Sequence, residues 1–118
     1  MKTNVKKLGD TMIVTMDGTL DYEMQEPLRE DLSKLIRNHK TDSVPTKIIF
    51  NLENLEFVGS SGISSFIQTL KEFGNRTPTK PRYCNVKSEF RKVMKAFDEA
   101  DSFEFFENED RAKKSFDQ

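Results

Sequence analysis

The chain has 118 residues, of which 33% are Asp, Glu, Lys or Arg and 35% are apolar, and its formal net charge is -1. That length can bury a core without cross-links, the apolar fraction exceeds that of a disordered chain, and the near-neutral charge gives no global attraction to nucleic acid or anionic lipid. One cysteine, Cys84, and one histidine, His39, exclude an internal disulfide and a Cys/His metal set, and no stretch approaches the roughly 20 apolar residues of a membrane helix.

Residues 1–118 are therefore expected to form a single cytosolic domain with no cofactor and no metal, standing free of any membrane segment. Val5 to Leu8 and Met12 to Met16 predict a pair of strands joined by a turn at Gly9-Asp10, and Asp17-Gly18 predicts a further turn. Leu28, Leu32, Leu35 and Ile36 fall at helical spacing within Met24 to Asn38, with Pro27 in the first turn, where its missing N–H does no harm. The run Lys47 to Leu52 is short, β-branched and almost continuously apolar, which predicts a strand covered on both faces at the centre of a sheet.

Glu53 to Val58 reads as a linker, and Gly59-Ser60-Ser61-Gly62 then opens a helix striped by Ile63, Phe66, Ile67, Leu70 and Phe73, with Gly74 as its stop. Pro81 to Val86 predicts a strand, Ser88 to Asp98 a helix with Phe90, Val93, Met94 and Phe97 inward, and Phe103 to Phe106 a last strand. Asp110 to Phe116 closes the chain as a short helix that turns Ala112 and Phe116 inward. Strands alternating with helices predict an α/β domain, and the opening hairpin makes its sheet mixed.

Ser60 and Ser61 lie where the first N–H groups of a helix lack internal partners. Either serine can act as a cap, and the same position accommodates an added anion. No GxxxxGK[ST] or GxGxxG spacing supports a nucleotide site, and neither a GxSxG elbow nor a base for a serine nucleophile is present. Asp21 reads either as an ordinary helix-start acid or as part of a binding face, while Ser64, Ser65 and Gln68 fall off the apolar stripe, facing water or a partner.

The order of elements, the strand KIIFNL, the phrase N-L-E-x-L-x-F-V, the Ser-Ser-Gly-Ile helix start, Gly18-Thr-Leu-Asp21 and Asn85-Val86 together resemble the STAS domain of anti-sigma factor antagonists over nearly the whole chain. The resemblance implies a mixed sheet, an opening hairpin followed by parallel strands, covered by about four helices. It also implies a non-enzymatic regulator of transcription that binds an anti-sigma factor acting as a serine kinase, with a phosphatase reversing the modification. The implied phosphorylation site is Ser60, with Ser61 as the second candidate. The implied partner-binding residues are Leu20, Asp21, Tyr22, Gly59, Ser60, Ser61, Gly62 and Ser64. Gly59 departs from the family pattern, which usually carries aspartate there, and this weakens the hydrogen bonding that fixes the serine loop. It favours the alternative of a STAS scaffold or sensor that binds a protein or small ligand without being phosphorylated.

Overall fold

The computed structural model describes residues 2–20, 25–37, 47–57, 61–76, 80–96 and 103–116. Its elements in chain order are β1 (Lys2–Leu8), β2 (Thr11–Leu20), α1 (Gln25–Arg37), β3 (Lys47–Asn51), β4 (Leu55–Phe57), α2 (Ser61–Asn75), β5 (Arg82–Cys84), α3 (Ser88–Ala96), β6 (Glu104–Phe106) and α4 (Glu109–Ser115). Of the helix ends expected from the sequence, Met24, Asn38, Phe97 and Asp98 lie outside the described residues.

The sheet runs β1-β2-β3-β5-β6, with β4 off this path and paired to β2. β1 is antiparallel to β2 across Gly9, whose φ of 64° suits the tight connection, and the other pairings are parallel. β3 lies in the middle of the path, and Ile48, Ile49 and Phe50 are all buried, as its unbroken apolar run requires.

Alternation along the strands divides the core into two layers. Met12, Val14, Met16, Ile48, Phe50 and Tyr83 point to the face covered by Leu28 and Leu32 of α1, Phe66, Ile67, Leu70 and Phe73 of α2, and Phe90 and Met94 of α3. Ile13, Ile49 and Cys84 point the other way, to a smaller cluster closed by Ala112 of α4 and by Phe106 and Phe116. Arg82 extends that cluster's edge: its guanidinium lies 4.4 Å from the Phe116 ring centroid and 2.9 Å from Glu104.

Three local expectations are corrected. Asp17-Gly18 is no turn, because β2 continues through it to Leu20. Gly18 adopts φ 107°, a conformation side chains with a Cβ rarely take, and the strand there leaves one neighbour for another: pairing with β3 ends at Thr15↔Asn51, and pairing with β4 begins at Gly18↔Leu55. The segment expected as a linker accordingly contains β4. Gly74 does not stop α2, which runs to Asn75 and ends where the Arg76 N–H donates to the Phe73 carbonyl at 3.0 Å. A single glycine lowers helix propensity without ending a helix whose apolar face is packed. Gly18→Ala is expected to lower unfolding free energy by about 1–3 kcal/mol through strain at this switch, measured by urea denaturation.

Candidate functional site

The partner exchange at Gly18 sets where the site is built. Register Gly18↔Leu55, Thr19↔Glu56 and Leu20↔Phe57 carries the end of β2 beside β4, and α2 starts four residues after Phe57. The sequence-predicted residues Leu20, Ser61 and Gly62 thus enter the description as backbone: Leu20 ends β2 opposite Phe57, while Ser61 and Gly62 begin α2. Ser64 is exposed one turn into that helix, and Gln68 is exposed a turn later. Asp21, Tyr22, Gly59 and Ser60 lie outside the described residues. The first turn of α2 contains no acidic residue, so no fixed carboxylate of its own opposes negative charge at its positive end.

The turn between β3 and β4 is held by bonds from several directions. Asn51 is buried, and its Nδ2 donates to Glu109 Oε2 at 2.6 Å while its Oδ1 accepts from the Glu53 N–H at 3.0 Å and from Asn85 Nδ2 at 3.3 Å. Asn85, with φ 55°, donates its own N–H to the Phe106 carbonyl at 3.3 Å. On the other side of the turn, the Gly18 N–H donates to the Asn54 carbonyl at 3.0 Å, and Asn54 Nδ2 donates to Asp17 Oδ1 at 3.3 Å. A buried asparagine with its amide this fully bonded fixes backbone geometry, because losing one partner would strand polar atoms away from water. Through Glu109, α4 is thereby tied to the turn that precedes the serine segment.

A cavity of about 420 Å³ opens beside the same end of the molecule, lined by Leu55 and Glu56 of β4, Ile63 of α2, Lys87, and Glu89, Phe90 and Val93 of α3. Its floor is apolar and its rim charged. Lys87 Nζ lies 3.9 Å from Glu56 across the opening, an exposed pair that contributes little to stability but balances the Glu56 charge. Sequence reasoning placed Phe90 and Val93 in a core stripe, and Phe90 is indeed buried. The groove itself had no sequence signal, since the β4 residues that line it were read as part of a linker.

Cys84 is a free thiol buried in the smaller core cluster. Burial pushes its thiol up to about 12, and the Glu109 and Glu53 carboxylates add to the shift. Between pH 9.0 and about 12 the folded chain keeps a proton that the unfolded chain releases, so this group lowers stability as pH rises through that window. At pH 8 a thiol-specific reagent should leave the native chain unlabelled and label it fully in denaturant; rapid native labelling would contradict the burial. Among the described residues no cluster of His, Cys, Asp and Glu could hold a metal ion, and no helix is long and apolar enough to cross a membrane.

Comparison with known proteins places this geometry. The structure of SpoIIAA from Bacillus, a cell fate determinant, in its phosphorylated form is 22% identical, with 98% of this chain and 99% of that chain covered at a TM-score of 0.64. An anti-sigma factor antagonist from Mycobacterium paratuberculosis is 17% identical over 99% of this chain and 94% of that one, with a TM-score of 0.68. RsbS from Moorella thermoacetica is 14% identical, covers 100% of both chains and gives a TM-score of 0.71. At these identities the likeness shows a shared fold, the six-stranded mixed sheet with four helices. No curated protein sequence matches the chain. The family model for the STAS domain matches residues 2–112, and the chain belongs to the STAS domain family.

Proposed function

We propose that this protein is an anti-sigma factor antagonist: it docks the face around Ser60 and the start of α2 on a kinase-type anti-sigma factor, and phosphorylation of Ser60 releases it. The observation that carries the reading is a Ser-Ser-Gly-Ile segment at the head of α2, in a STAS frame spanning residues 2–112, with no acid in that helix's first turn. Solved neighbours add support, since SpoIIAA from Bacillus is known in a phosphorylated and an unphosphorylated form, the latter described as an anti-sigma factor antagonist. On this reading the protein acts in the cytoplasm, through protein contacts, and a phosphatase restores the docking form. Leu20, Asp21, Tyr22, Gly59, Ser61, Gly62 and Ser64 flank the docking centre.

The test is incubation with ATP and the cognate kinase, followed by intact-mass measurement. The wild type and Ser61→Ala should each gain one phosphate, and Ser60→Ala none. Gly59 and the groove floored by Leu55, Ile63 and Phe90 favour a second reading, a STAS scaffold or sensor that binds without being modified. Unchanged mass for all three proteins, with the partner still bound, would select that second reading.

A further inference from the structure

We propose that the outer edge of β1 is a docking strand for an extended acidic peptide segment of a partner protein. β1 ends the sheet path, so its seven residues pair with β2 on one side, and among the described residues no strand lies on the other. Its register to β2 is continuous from Lys2↔Asp17 to Leu8↔Thr11, and the segment KTNVKKL contains no proline and no acidic residue. Val5 and Leu8, 43% and 38% exposed, are the large apolar residues at the surface among the described residues, and both lie on this strand. The opposite edge, β6, offers only three residues.

Lysines on an edge strand normally discourage pairing, usually together with shortness, a bulge or a proline. β1 has the lysines without those other devices. A long, regular edge can accept a further strand by main-chain hydrogen bonds, with the side chains choosing which one. Lys2 and Lys6 point to one face of the sheet and Lys7 to the other, all exposed, so Asp or Glu on both faces of an added strand would meet an opposite charge. The same lysines disfavour a second copy of β1, which would bring like charges together along one seam.

The probe is a blocked synthetic peptide of the length of β1, alternating Glu with Val and Thr, set against a counterpart with Lys in place of Glu. Binding to the wild type and to a K2E/K6E/K7E variant is measured by titration, and the site is mapped by amide hydrogen exchange. The acidic peptide should bind the wild type, protect β1 amides and weaken as salt rises. The triple reversal should weaken it about tenfold, as three cross-strand charge pairs of ordinary strength predict, and should favour the Lys peptide. If the variant fails to fold, the two peptides and the salt series on the wild type still decide. Equal affinity for both peptides, or protection confined to other elements, overturns the proposal. So does self-association through β1 without peptide, which would make a second copy the occupant.

Discussion

Phe50→Ala is expected to lower the unfolding free energy by about 4 kcal/mol, a large part of the roughly 5–15 kcal/mol that holds a domain of this size together. Phe50, in β3, has no exposed surface. Its ring stacks on Tyr83 with centroids 5.2 Å apart and meets Phe73 edge-on at 5.5 Å. Truncation removes both ring contacts and leaves a cavity between the sheet and α2, in a layer pinned by strands on both sides, so little can collapse to fill it. In urea the midpoint should fall by about 2 M, taking a slope of about 2 kcal/mol per molar. Phe116→Ala, on the smaller and partly exposed layer over α4, should cost less than half as much. Equal losses would mean that the two layers contribute alike and that the three-helix side is not the principal core.

The elements that meet at Phe50 were legible in the sequence because they follow from local patterning. Ile63, Phe66, Ile67, Leu70 and Phe73 recur at helical spacing, and the run around Phe50 is unbroken, so α2 and β3 were predicted and are found. β4 was not legible. Three residues carry too little pattern, and its partner lies 37 positions earlier at the end of β2, past a glycine whose local signal reads as a turn. Asn51 shows the same limit at the site: it reads as the polar end of an apolar strand, and its function as a brace depends on Asn85 and Glu109, 34 and 58 positions away. The start of α2 was legible because helix starts have local chemistry, and the groove beside it was not, since β4 and α3 form it only when folded.

Ser60→Asp should reduce recovery of the anti-sigma partner in a pull-down about a hundredfold, while Ser60→Ala should recover it as the wild type does. Two opposed terms set that expectation. Negative charge beside a helix N-terminus is stabilised by roughly 0.3–1 kcal/mol, so the isolated variant should keep its fold and its midpoint in urea. Closing a protein interface over the same charge strips it of water, and without a matching base this costs several kcal/mol, whereas ~2.7 kcal/mol already weakens binding about a hundredfold. On the proposed reading the interface term exceeds the local one, so the variant should lose docking and not its fold. A phosphate, with about 1.5–2 negative charges, should act in the same direction more strongly than aspartate. Equal recovery with Asp and Ala at this position would remove the charge switch and leave a STAS module whose partner is indifferent to the head of α2.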